Sequence, residues 1–184
     1  MKRFIALFSA MMVAAGVMMA QDAPKKYEIK SGSFTTVSEV MGQVIESTTY
    51  FDDYGRLETS KVNTFGMVIS TISRDGKVYM VNHSAKQVQE MPAQESINYL
   101  DLTEETVAKY QIKEIGKETV GDKDCVKYSL EVSQMGQTAK LTVSVWCGIP
   151  MKTLTSAGGM EVTATVKELT EGDVDPSVFE VPAF

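Results

Sequence analysis

Cysteine is scarce in this 184-residue chain: there are two, with no C-x-x-C pair, which argues against a dithiol redox enzyme. Histidine is scarcer still. The single one, His83, sits in "VNHSAKQ", a turn-like stretch that offers no positioned partner for general-base chemistry. Basic residues are outnumbered, 18 Lys and Arg against 24 Asp and Glu, for a formal net charge of -6. A surface of that sign disfavours nucleic acid as a partner, because phosphate contacts require a basic patch. No glycine-rich phosphate cradle is present, and "DDYGR" lacks the alternating oxygen ligands of a calcium loop. Clustered His, Cys and Met ligands for copper are missing as well. Together these absences point away from an enzyme and away from any cofactor or metal.

Long apolar runs are also missing, with one exception at the start. Residues 1–20 read "MKRFIALFSAMMVAAGVMMA": a basic start, an apolar stretch, and a small residue before polar "QDAPKK". This is the pattern of a secretory signal peptide cleaved after Ala20. No second apolar run follows, so no permanent membrane span is expected. Removing Lys2 and Arg3 takes the formal charge from -6 to -8 (-6 - 2). Residues 21–184 then form one expected domain, periplasmic or extracellular, with enough chain for a substantial core.

What is abundant is short β-branched and aromatic runs separated by Gly, Asn and Asp. Eleven such runs can be marked, from "KKYEIKSGSFTTVSEV" through "MVISTIS" and "KVYMVNH" to "MEVTATVKEL". The intervening "DDYGR", "RDGK", "SQMGQ" and "SAGGM" suit tight reversals. The pattern predicts a mainly β protein, an antiparallel meander too long for a seven-strand sandwich. One segment differs. In "YLDLTEETVAKYQ", Thr103 can cap a helix, Glu104 and Glu105 favour its first turn and Lys109 its last, predicting a short helix from Thr103 to about Tyr110.

A half-solvated strand alternates apolar and polar residues, whereas a strand covered on both sides does not. "EVTATVKEL" alternates, but "MVISTI" puts Met67 and Ile69 on one face and Val68 and Ile72 on the other, and "VYMV" behaves alike. The middle of the chain is therefore expected to be covered on both faces, by a helix or by a ligand. Seven of the twelve methionines lie outside the leader. Their flexible thioethers suit core filling or an adaptable apolar surface.

In an exported chain two cysteines invite a disulfide. A hairpin centred on Gly136 would set Cys125 opposite Cys147, since 125 + 147 = 2 × 136. Slipping the register by one aligns Val126, Tyr128 and Leu130 with Leu141, Val143 and Val145 and separates the thiols. A bulge near "CGIP" could satisfy both demands, so the residues leave the bond open.

The segments "GKVYMVNHSAKQVQEMP", "VGDKDCVKYSL", "VWCGIPMKT" and "GDVDPSVFEVPAF", in that order, resemble the bacterial lipoprotein-localisation (LolA-like) superfamily and its secreted Bacteroidetes relatives. The resemblance implies a half-open antiparallel β-barrel of about eleven strands, wrapped on a short helical lid, with an apolar cavity between. In carriers of that superfamily the cavity holds lipoprotein acyl chains. Their gating arginine has no counterpart, because the only arginines after the leader, Arg56 and Arg74, lie beside tight turns. The expected role is noncatalytic binding of a lipid or other apolar small molecule. Phe51, Met67, Ile69, Met80, Trp146 and Met151 are the candidate lining, being large or adaptable residues on strands flanking the cavity. The alternative is an envelope module that contacts a protein partner, its barrel filled by its own side chains.

Overall fold

The computed structural model describes residues 24–40, 42–64, 66–92, 96–134 and 137–184. The expected export signal at 1–20 lies outside these. The strands are β1 (Gly32–Val40), β2 (Gln43–Asp52), β3 (Leu57–Thr64), β4 (Met67–Arg74), β5 (Lys77–Asn82) and β6 (Gln87–Met91). Helix α1 (Glu104–Tyr110) follows, and then β7 (Lys113–Val120), β8 (Lys123–Gln134), β9 (Gln137–Trp146), β10 (Ile149–Ala157) and β11 (Met160–Glu171). All eleven strands form one open sheet in the order β6-β5-β4-β3-β2-β1-β11-β10-β9-β8-β7. Every neighbouring pair is antiparallel. This is the antiparallel meander that the residue pattern predicted, in the half-open barrel with a short helical lid that the resemblance implied.

Two turn chemistries define the ends of the sheet. At the lower end, Trp146 pairs with Ile149, leaving Cys147 (φ 49°) and Gly148 (φ 82°) as a two-residue reversal. Two consecutive positive φ values are the primed turn that matches the twist of the flanking strands. Gly148 is required twice over, because a Cβ there would also meet the Lys26 carbonyl oxygen at 2.2 Å. A bulge between Pro150 and Lys152 follows, which is where a proline is tolerated inside a sheet. The "VWCGIP" stretch is thus a hairpin turn with a bulge behind it.

The first residues of "KKYEIKSGSF" do not join the sheet as expected. They cross its lower end as a strap instead: the Lys26 and Tyr27 amides donate to the Tyr54 carbonyl, and the Glu28 amide donates to the Cys147 carbonyl. Tyr54 in turn donates its amide to the Lys30 carbonyl. These bonds use backbone groups that the lower turns would otherwise leave unpaired.

The inner face of the sheet is the one that carries α1. Leu130, Val132, Val143, Val145 and Ile112 form a buried cluster there, with Leu102, Val107 and Tyr110 of the helical segment packed on it. Seven residues are too few for a helix to persist alone. Thr103 caps this one by accepting from the Thr106 amide, a contact worth about 1 kcal/mol, and the apolar stripe supplies the rest.

On the outer face, the C-terminal segment covers β3 and β4. Asp175 caps a 3₁₀ turn at Pro176–Phe179, Phe179 is buried, and Arg74 donates to its carbonyl at 3.1 Å. His83 bonds Ser70 at 2.8 Å and meets the Phe184 ring edge-on. The double-sided apolar pattern of "MVISTI" is answered only in part by this cover. Ile72 is buried, but Met67 and Val68, next to the Gly66 turn at the upper end, are exposed.

Candidate functional site

Cross-strand register places Phe51, Glu58 and Ser73 in one row of the inner face. This row is the lower, closed end. Tyr27 of the strap drops into it, 1 % exposed, with its ring 4.8 Å from that of Phe51. The Tyr27 hydroxyl and the Lys26 ammonium both donate to Glu58 Oε2, at 2.8 and 2.6 Å. Burial, followed by the charge of Glu58 and the hydrogen bond to it, pushes the Tyr27 phenol well above its ordinary value. Among the described residues, Glu58 Oε1 and Ser73 Oγ find no hydrogen-bond partner. Buried oxygens of this kind are normally bridged by ordered water.

Two rungs higher the inner face opens. Val62 pairs with Ile69, Ser60 with Thr71, and Thr71 with Met80. Val62 and Ile45 are buried, whereas Ile69, Thr71 and Met80 stay half-buried. The Thr49 and Ser60 hydroxyls, cross-strand neighbours on this face, bond at 2.7 Å. The surface is therefore apolar side chains alternating with hydroxyls rather than hydrocarbon throughout.

The six expected lining residues separate into three groups. Met67, Ile69 and Met80 stand together on the inner face near its open end. Phe51 and Met151 are buried in the closed-end cluster with Tyr27, Phe34, Ile149 and Val166. Trp146 alternates away from Val143 and Val145 and is half-buried at the margin of the closed-end cluster, against which it packs, with the Lys123 ammonium 4.5 Å over its ring. The sequence reading missed Tyr27, Lys26 and Glu58. Only Glu58 carried a signal, sharing the parity of Ser60 and Val62 on β3, and that parity alone does not say a carboxylate will be buried.

The β8–β9 hairpin takes the slipped register, with Val126 opposite Val145 and Leu130 opposite Leu141. Cys125 and Cys147 are free thiols. Burial, a hydrogen bond to Glu28 and the charges of Glu28 and Glu171 push the Cys147 thiol up to about 11. Glu118 is held below the ordinary carboxylate value, first by the Ser144 hydroxyl that donates to it and then by Lys152 at 3.2 Å and Lys127 at 3.5 Å. Desolvation opposes this shift. Among the described residues no three His, Cys, Asp or Glu gather as metal ligands, and no helix is long and apolar enough to cross a membrane.

An open antiparallel sheet with a helix on its inner face, strapped shut at one end, defines the structural class. No protein-family model matches the sequence, and no curated protein is similar enough in sequence to count as a relative. Solved structures do share the shape. An uncharacterised conserved protein from Thermus thermophilus superposes with a TM-score of 0.61 at 12% identity, covering 86% of this chain and 89% of that one. A chain of the Pseudomonas aeruginosa MucA/MucB complex superposes at 0.58 with 14% identity, covering 86% of this chain and 57% of that one. The present chain thus spans a little over half of that protein. A domain described for outer-membrane lipoprotein sorting from Vibrio parahaemolyticus reaches 0.43 at 10% identity, over 84% of this chain and 91% of that one, too loose a match to carry an argument. At such identities the likeness speaks for the fold alone.

Proposed function

We propose that residues 21–184 act after export as a noncatalytic binding domain of the cell envelope, holding a lipid, acyl chain or other apolar guest on the inner face. One observation carries this reading. Met67, Ile69 and Met80 share the open end of the inner face and keep solvent exposure, while the apolar residues of the closed end are buried. Thioether and branched side chains adapt to apolar guests of varied shape. The hydroxyl of Ser60, already bonded to Thr49, has capacity for a second hydrogen bond to a carboxyl or ester group at one end of such a guest.

Protein purified without detergent is expected to carry a lipid-sized adduct in native mass spectrometry, or to take up a fatty acid or fluorescent apolar probe. Met80→Asp is expected to weaken that uptake at least tenfold. An empty protein that takes up no probe would overturn the reading.

A second reading, an envelope module that contacts another protein, has its own support. The sheet is open, and strands β6 and β7 form its two edges, where backbone donors and acceptors remain available for strand addition. The Pseudomonas relative in fold was solved as a MucA/MucB complex. Under this reading Met80→Asp lowers stability without any uptake to lose.

A further inference from the structure

The five upper turns differ from the lower ones in charge. The sequence has no charged residue from Val40 to Val44, from Thr64 to Val68, from Gln134 to Gln137, or from Ala157 to Met160, although exposed Glu39, the cross-strand partner of Val44, and exposed Glu161 flank two of these tips. Lys86, in the turn between β5 and β6, is the one exception among the upper turns. Of the eight exposed large apolar side chains among the described residues, five stand at the same end; Leu100, beside the lower Gly148 turn, Ile115 and Phe184 are the others. Val44, 69 % exposed, follows the first turn, Met67 and Val68 follow the second, Val88 lies one residue into β6, and Met160 follows the Gly158-Gly159 turn. A Cβ added at Gly42, Gly66, Gly158 or Gly159 would meet nothing within 4 Å, so these four glycines border open space, as does Gly121 in a lower turn.

We infer that this upper rim docks on the surface of an electrically neutral lipid bilayer. Three features select that occupant. Turn tips whose one charge is Lys86 lose little hydration on entering the headgroup region, while the exposed carboxylates behind them, Glu39 and Glu161, limit the depth to the tips themselves, since charged side chains resist entry. The chain as a whole is acidic, with a formal net charge of -6, so an anionic surface repels it and electrostatic adsorption is not the driving force. The apolar anchors also stand on separate hairpins around the rim. A fluid lipid surface accepts anchors at any spacing, while a protein partner requires a fitted pocket for each. The rim borders the open end of the inner face, so the inference deepens the proposed guest-binding reading by naming where a guest enters, and it rests on that reading for its purpose.

Flotation with phosphatidylcholine vesicles tests it. The exported protein, residues 21–184 without the apolar leader, is expected to float with the vesicles, with little dependence on salt. The combined Val44→Glu, Val68→Glu and Met160→Glu variant is expected to lose at least tenfold in partitioning while keeping its uptake of a soluble apolar probe. Loss of probe uptake in the wild type, with flotation intact, would sink the guest-binding reading and leave the docking surface standing. Three results overturn the docking surface: a wild type that does not float, a triple variant that floats equally well, or a wild-type dimer that the three substitutions dissociate without any flotation. Should the triple variant fail to fold, Val44→Trp gives an independent readout. Its emission is expected to shift to the blue with vesicles, while that of the native Trp146, at the opposite end of the sheet, does not move; an unshifted spectrum for Val44→Trp counts equally against docking.

Discussion

The lower turns read Asp52-Asp53-Tyr54-Gly55-Arg56, Arg74-Asp75-Gly76-Lys77 and Gly121-Asp122-Lys123, and the fourth, Cys147-Gly148, lies under the strap. The upper turns carry glycine, glutamine, methionine and valine with almost no charge. Both ends solve the same backbone problem, reversing a strand with a residue at positive φ. They differ in what surrounds the reversal. Below, ion pairs such as Arg56 with Asp53 and Arg74 with Asp75 ring a buried aromatic core, whereas above, the apolar side chains are left uncovered. The aromatic plug is therefore at one end and the proposed binding surface at the other, the arrangement expected where a site must admit a guest.

The widest gap between the ends should appear on removing the plug. Tyr27→Ala is expected to cost about 3–5 kcal/mol, as for other large aromatics emptied from a core, whereas Met67→Ala, 41 % exposed, should stay within about 0.5 kcal/mol; urea unfolding of both variants checks this. Glu58→Gln leaves the Lys26 ammonium facing a neutral amide in a site where Glu58 is 2 % exposed, and should cost roughly 3 kcal/mol by the same measurement.

Glycines sharpen the contrast more finely. Gly148→Ala must adopt φ 82° against a backbone oxygen, while Gly66→Ala meets only the strain of φ 75° in open space. The first should lower stability by more than about 2 kcal/mol and the second by about 1 kcal/mol; equal losses would show that the strap does not press on the lower turn.

The smallest effect concerns Glu118. Its folded carboxyl sits below the ordinary value, so its stabilisation is fully present above the usual carboxylate range and is lost as pH falls through the folded value. Glu118→Gln should flatten the acid limb of the stability curve by less than about 1 kcal/mol. Cys147, raised to about 11, should alkylate slowly at pH 8 compared with an unfolded control.

Strand count, the helix from Thr103, and the turn glycines were legible because each is dictated by local chemistry: β-branched alternation, an N-cap, a positive φ. The slipped β8–β9 register was legible as the option that aligns Val126, Tyr128 and Leu130 with Leu141, Val143 and Val145. Residues 25–30 misled because "KKYEIK" carries β-type residues, yet the amides of Lys26, Tyr27 and Glu28 are spent on Tyr54 and Cys147 rather than on a strand. The candidate site was half legible. Residue size nominated Phe51 and Met151 as readily as Met80, and only the strap, whose partners are remote in sequence, decides which of them is sealed in.

The strand order has a kinetic corollary. β1 to β6 and β7 to β11 are two meanders of consecutive hairpins, stitched together by a single pairing in which Gly32 faces Glu171. Each meander can assemble from neighbouring segments, but the stitch must bring opposite ends of the polypeptide together, and non-local β pairing of this kind slows folding into the millisecond-to-second regime. A nick between β6 and α1 would leave two fragments, each a complete meander, and their reassociation would turn that slow unimolecular step into one governed by concentration.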